Sequence, residues 1–172
     1  MEPLKEKMRA TWMAGDFGKI AEHSAKDAER FVDDLRITPA MQILDVACGT
    51  GNLAIPAARK GAQVAGVDIA TNLLEQARAR ASAEGLQITF KEGDAEQLPF
   101  PDAQFDLVMT MFGAMFAPDP EKVASEVARV SGPYWPTIAI AAIFHSVGAT
   151  RRQQKPSGRS PMFRYLCYAR LL

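Results

Sequence analysis

The chain has 172 residues, 48% of them apolar, with 20 basic and 20 acidic side chains and therefore a formal net charge of zero. That length suits one domain with one core, burying roughly 70% of the unfolded surface if all of it folds, and argues against two. No run of about 18 apolar residues is present to span a bilayer and the start carries no apolar signal core, so the expected compartment is the cytoplasm.

The neutral average hides an asymmetry. Every acidic residue lies at or before Glu126, whereas the charges beyond it are Arg129, Arg151, Arg152, Lys155, Arg159, Arg164 and Arg170. This basic tail is sparse and lacks interleaved aromatic residues, so nucleic acid is not an expected partner. Cys48 and Cys167 have neither the spacing of a metal clamp nor the number of a disulfide scaffold, and no His, Asp or Glu cluster has metal spacing. They read as ordinary thiols, and no metal is expected.

In chain order, helices are expected over about Pro3 to Met13 and Lys19 to Leu35. The second places Ala28, Phe31, Val32 and Leu35 on one face and Lys26, Asp27, Glu29, Arg30, Asp33 and Asp34 on the other. Trp12 to Gly18 falls in the break between them. The stretch Gln42-Ile43-Leu44-Asp45-Val46-Ala47-Cys48-Gly49-Thr50-Gly51-Asn52 then joins an apolar strand to a glycine turn, with a carboxylate near the strand's end. Gly49 and Gly51 let a backbone approach a ligand closely, and the unpaired N–H groups of the following helix are donors.

Further strands are expected near Val64 to Val67, Ile88 to Lys91, Phe105 to Thr110 and Ile138 to Phe144. Helices fit between them: Asn52 to Lys60, Leu73 to Ala83 with Thr71 or Asn72 as cap, and one opened by Asp119-Pro120-Glu121 that carries Val123, Val127 and Val130 on one face. Alternation of this kind argues for an α/β fold, a doubly wound Rossmann-like sheet with right-handed crossovers.

Gly49-x-Gly51-x-x-Ala54 satisfies a loose dinucleotide fingerprint, and Asp68 follows at about the distance expected of a ribose-binding acid. A dehydrogenase is therefore one reading. Asp45 favours another, because an ionised carboxylate beside the loop repels a pyrophosphate but can order the ammonium of a cationic amino-acid cofactor.

Asp45-Val46-Ala47-Cys48-Gly49-Thr50-Gly51, Val67-Asp68, Glu92 to Phe100 and Phe105-Asp106-Leu107-Val108 stand in an order and spacing that resemble class I S-adenosylmethionine-dependent methyltransferases. The resemblance covers about Asp16 to Val130. Leu98 to Asp106 is similar to the small-molecule branch that includes ubiquinone and menaquinone biosynthesis enzymes. The resemblance implies S-adenosyl-L-methionine as cofactor and a small-molecule acceptor. It places Ala47, Gly49 and Gly51 in the cofactor loop, with Asp45 and Thr50 orienting the methionine end and Phe17 folding over it. Asp68 would accept from both ribose hydroxyls and Ile69 would pack on the adenine face. Asp94 and Ala95 would meet the adenine edge, and Thr110, Met111 and Phe112 would floor the pocket. Glu96 is as readily an exposed loop acid. No catalytic residue is named by the pattern; His23 and His145 read as surface or capping histidines.

After Val130 the chain departs from the family, running through Ser131-Gly132-Pro133-Tyr134-Trp135-Pro136 and an apolar stretch into the acid-free tail. Residues 1–144 form the expected methyltransferase domain and 145–172 an atypical basic tail. A frameshifted or aberrant C-terminus fits the composition better than a naturally short variant ending in a helix over Met162 to Leu172. The sheet's C-terminal strands would then be incomplete, leaving an edge open to self-association. A cofactor-binding remnant without turnover is the rival to an active methyltransferase.

Overall fold

The computed structural model describes residues 3–15, 17–131 and the backbone of 137–141. In chain order the elements are α1 (Pro3–Ala14), α2 (Phe17–Asp34), β1 (Gln42–Val46), α3 (Ala54–Arg59), β2 (Gln63–Asp68), α4 (Thr71–Ala83) and β3 (Ile88–Glu92). β4 (Leu107–Met111), a 3-10 turn (Ala114–Phe116), α5 (Pro120–Val130) and β5 (Thr137–Ala141) follow. The five strands form one sheet in the order β3-β2-β1-β4-β5, and every neighbouring pair is parallel.

The two-residue period of the strands sorts their apolar side chains onto two faces. Ile43, Val64, Leu107 and Met109 pack with Ala28, Phe31 and Val32 of α2, Ile55 of α3 and Leu74 and Ala77 of α4. Leu44, Val46, Ala65, Val67 and Val108 pack on the opposite face with Val123, Val127 and Val130 of α5. Each large side chain so buried contributes about 1.5–3 kcal/mol. The sheet is thus covered on both faces, the doubly wound arrangement expected of it. The apolar faces of α2 and α5 lie where their spacing put them.

The strand order reverses at β1, which has β2 on one side and β4 on the other. A crevice forms outside the carboxyl ends of strands at such a switch point, and this is where open α/β sheets bind ligands. The edge strand β3 is blunted by exposed Lys91 and Glu92. No helix among the described residues is long and apolar enough to cross a membrane.

Several boundaries differ from expectation for identifiable reasons. Phe17 lies at the start of α2 rather than in the break before it. β4 begins at Leu107 because Phe105 instead bridges to Ser131, where α5 ends. The cap of α4 is Ala70, with no bond from its own side chain, and neither Thr71 nor Asn72 serves. Its backbone N–H donates instead to Asp68 Oδ1 at 2.8 Å. Asp119 caps α5 as expected, accepting from Lys122 N–H, with Pro120 in the first turn. His145, Cys167, the last residues of the fifth expected strand and the helix expected over Met162 to Leu172 lie outside the described residues.

Candidate functional site

A cavity of about 760 Å³ opens at the carboxyl ends of β1, β2 and β4, roofed by α1 and α2. Its volume falls within the range of about 300–1,000 Å³ usual for small-molecule sites. Ten of the eleven residues expected to hold the cofactor line it: Phe17, Asp45, Ala47, Gly49, Thr50, Asp68, Ile69, Asp94, Ala95 and Met111. Phe112 joins them; Thr110, also expected in the floor, does not.

Gly51 is the exception among the eleven. It is buried behind the loop with φ +84°, and a Cβ there would lie 3.3 Å from Ile55 Cδ1 and 3.5 Å from Ala77 Cβ. Its lack of a side chain serves the packing of the loop on α3 and α4. Gly49 differs: at φ +52° a Cβ would meet no atom within 4 Å, so its open side is free for a ligand. The left-handed conformation, uncommon outside glycine, recurs at Ala47 (φ +55°) and Phe112 (φ +67°), both on the cavity wall. Backbone strain of this kind gathers at ligand sites.

Two buried carboxylates organise the loop. Asp68 Oδ2 accepts from Gly49 N–H at 2.8 Å while its Oδ1 accepts from Ala70 N–H, so one side chain ties the glycine loop to the start of α4. Burial raises its pKa above the ordinary value against the opposing effect of these bonds. Asp45, only 1% exposed, accepts from Ala54 N–H at 3.0 Å and thereby holds the first turn of α3. This capping contact is made from nine residues away. Thr50 is fixed by Arg80, whose Nη1 donates to Thr50 O at 2.7 Å, Thr50 Oγ1 at 3.0 Å and Asn52 Oδ1 at 2.8 Å.

Burial pushes the Asp45 carboxyl well above the ordinary 3.8, with the neighbouring Asp68 charge adding to the rise and the Ala54 bond opposing it. The folded state therefore holds this proton more tightly than the unfolded chain. Stability from this group is fully present below pH 3.8 and falls as the pH rises through the raised folded value. Asp45→Asn keeps an acceptor for Ala54 N–H and removes the buried charge. Its urea midpoint should exceed the parent's near neutral pH, with the difference closing toward the ordinary aspartate range; a lower midpoint at neutral pH would show that the charge stabilises the fold.

The resemblance pointed to the segment around Phe17 as part of the roof, but not to its ionic contacts. Lys5 of α1 reaches both Asp94 Oδ2 and Glu96 Oε2 at 2.6 Å, and its own side chain is 12% exposed. Desolvation works against the Lys5 charge, but the bonds from the two carboxylates hold its pKa above the ordinary value. Arg9 adds a bond to Ile69 O at 3.1 Å and an ion pair with Glu92 at 2.8 Å. Glu96 is consequently buried, not exposed, and also accepts from Asp119 N–H. Trp12 packs between Phe17 and Phe116, with ring centroids 4.7 and 5.0 Å apart. No sequence pattern announces Lys5, because α1 carries no internal periodicity that points at loops about 90 residues away.

Among the described residues no group of three or more His, Cys, Asp or Glu could hold a metal ion. The carboxylates Asp45, Asp68 and Asp94 face a cavity whose one lining lysine is already paired with acids. This set suits a cationic ligand.

A methyltransferase-domain family profile matches residues 43–133, just over half of the chain and the whole βαβ unit that builds this site. The chain belongs to the methyltransferase-domain family. An uncharacterized protein of Mycobacterium tuberculosis is 39% identical over 155 residues, covering 87% of this chain and 56% of the relative. A demethylmenaquinone methyltransferase of Thermus thermophilus is 46% identical over 94 residues, covering 54% of this chain and 43% of the enzyme. Among solved structures, the YcgJ protein of Bacillus subtilis superposes with TM-score 0.60 and 28% identity over 68% of this chain and 50% of its own. A methyltransferase of Methanococcus maripaludis, titled as S-adenosyl-L-methionine-dependent, gives TM-score 0.61 at 22% identity, a likeness of fold. The methyltransferase chain spans about half the length of the curated relatives it matches.

Proposed function

We propose that this methyltransferase-family chain binds S-adenosyl-L-methionine and transfers its methyl group to a small molecule with an apolar, aromatic body. One observation carries the choice of cofactor: Gly49 N–H, a donor that a pyrophosphate would need, is already given to Asp68, and the carboxylates of Asp45, Asp68 and Asp94 line the same cavity. An anionic dinucleotide would face these charges, whereas an ammonium and a sulfonium are drawn to them. In this reading Gly49, Ala47, Thr50 and Asp45 hold the methionine end, under Phe17. Asp68 and Ile69 take the ribose and adenine, Asp94 and Ala95 the adenine edge, and Met111 the floor.

The acceptor is proposed from the rest of the wall. Phe112, Met115 and Phe116 of the segment after β4, with Trp12 and Ile20 of the roof, make one side of the cavity apolar. The Thermus relative's name, demethylmenaquinone methyltransferase, agrees with a ring of that character. When bound, the cofactor supplies a methyl group already activated for transfer, so the chain's own contribution is proximity and exclusion of water. The same reading puts the protein in the cytoplasm with small-molecule rather than nucleic-acid partners, and takes the edge of β5 that no described strand pairs with as a surface for self-association.

Calorimetric titration of the full chain with S-adenosylmethionine, S-adenosylhomocysteine and NAD tests the cofactor. Both sulfur ligands should bind and NAD should not; NAD binding without a response to either sulfur ligand would overturn the reading. A second reading is a module that binds cofactor without turnover. Labelled cofactor with a panel of phenols, quinols and amines separates the two, since turnover of any acceptor rejects the binding module.

A further inference from the structure

Resting on the methyltransferase reading, we infer that Arg80, a residue outside the cofactor cavity, makes the site selective for a ligand that carries an amino-acid tail on its adenosine. Arg80 is a positioning residue, acting on the ligand through Thr50 and Asn52. Thr50 lies between Gly49 and Gly51, both left-handed at φ +52° and +84°. Glycine has the greatest backbone freedom, so a peptide flanked by two of them has no local reason to keep one place.

The anchor comes from α4. Arg80 Nη1 donates to Thr50 O at 2.7 Å, to Thr50 Oγ1 at 3.0 Å and to Asn52 Oδ1 at 2.8 Å. Hydrogen bonds from an ionised donor are the stronger kind. Asn52 passes the link on to the roof. With its Oδ1 against the guanidinium, its Nδ2 donates to Ala21 O of α2 at 2.7 Å. Thr50, Asn52 and Ala21 all line the cofactor cavity, whereas Arg80 stands behind them.

The adenosine end has anchors of its own. Asp68 holds Gly49 and Ala70, and Lys5 holds Asp94. None of these bonds passes through Arg80. Arg80 is also exposed, so truncating it opens no void in the core. Its removal therefore falls on the methionine end: Thr50 and Asn52 lose the group that holds them, and α2 keeps only a loosened tie to the loop.

The test compares S-adenosylhomocysteine with 5′-methylthioadenosine, which keeps the adenosine and the sulfur but lacks the amino and carboxyl groups. Both are titrated calorimetrically into the full chain, and the parent should bind S-adenosylhomocysteine more tightly. Arg80→Met should weaken S-adenosylhomocysteine by about tenfold and leave 5′-methylthioadenosine within about twofold of the parent. Arg80→Lys keeps the charge without the planar guanidinium, so its loss should be smaller and equally selective. Circular dichroism checks that each variant is folded, and should Arg80→Met fail to fold, Arg80→Lys carries the comparison. Equal losses for the two ligands would make Arg80 a support of the fold only, since a structural role does not distinguish the tail. That outcome, an unchanged affinity for S-adenosylhomocysteine in the variants, or a parent that binds the two ligands equally, overturns the assignment while leaving the cofactor reading intact. Failure of S-adenosylhomocysteine to bind the parent chain overturns the methyltransferase reading, and this assignment with it.

Discussion

Asp68→Ala should lower S-adenosylhomocysteine affinity by about tenfold or more and move the denaturation midpoint down at the same time. The reason is that one carboxylate satisfies two backbone donors, Gly49 N–H and Ala70 N–H, each at 2.8 Å. Leaving a buried donor without a partner costs about 1–3 kcal/mol, and the variant leaves two. Relief of the buried charge offsets part of that, since burial already works against the ionised carboxyl. The unsatisfied donors outweigh it because they belong to the loop and to the first turn of α4, which then lose their link. Asp68→Asn separates the contributions: its single amide oxygen can keep one of the two bonds, so its stability should fall between parent and alanine variant. Chemical denaturation and calorimetric titration read the two effects independently. An alanine variant as stable as the parent would mean that water takes over both donors, and unchanged affinity would leave Asp68 a purely structural acid.

That double duty marks the limit of what the sequence discloses about the site. Order and spacing of Asp45, Gly49, Asp68 and Asp94 were enough to put these residues around one cavity, because strands of a parallel sheet end at the same side and the loops after them must converge there. The strand and helix periods were likewise legible, as the burial of Phe31 and Val32 in α2 and of Val123 and Val127 in α5 attests. What stayed unread concerns contacts decided by the tertiary fold. At Gly51, local pattern cannot tell that Ile55 and Ala77 will fill one side of the turn. Whether Glu96 is exposed stayed open in the sequence because the lysine that buries it stands 91 positions earlier, on a helix whose docking is decided by tertiary packing. Asp45 is held by the same kind of long-range bond, one that makes it a cap for α3 while it still lines the cavity.

Gly113→Ala should be the most damaging glycine-to-alanine change among the described residues, at a position the sequence pattern did not select. A Cβ at Gly113 would lie 2.4 Å from Ala47 Cβ and 2.7 Å from Ala47 O. Neither partner can yield cheaply, because Ala47 sits in the left-handed conformation within the glycine loop and Phe112, next to Gly113, is left-handed as well. Overpacking of this kind costs about 1–3 kcal/mol, or else the loop moves away from its position over the cavity. Gly85→Ala is the matched control. Gly85 follows α4 at φ +68°, with no atom within 4 Å of the added Cβ, so that variant bears only the backbone penalty of about 1–2 kcal/mol. Both variants should therefore denature at lower urea than the parent. Only Gly113→Ala should also weaken S-adenosylhomocysteine binding, because only its methyl presses on the segment that carries Gly49 and Thr50. If the two variants lose stability alike and bind the ligand alike, the Ala47–Gly113 contact does not set the loop, and the left-handed pair at Ala47 and Phe112 has no part in shaping the site.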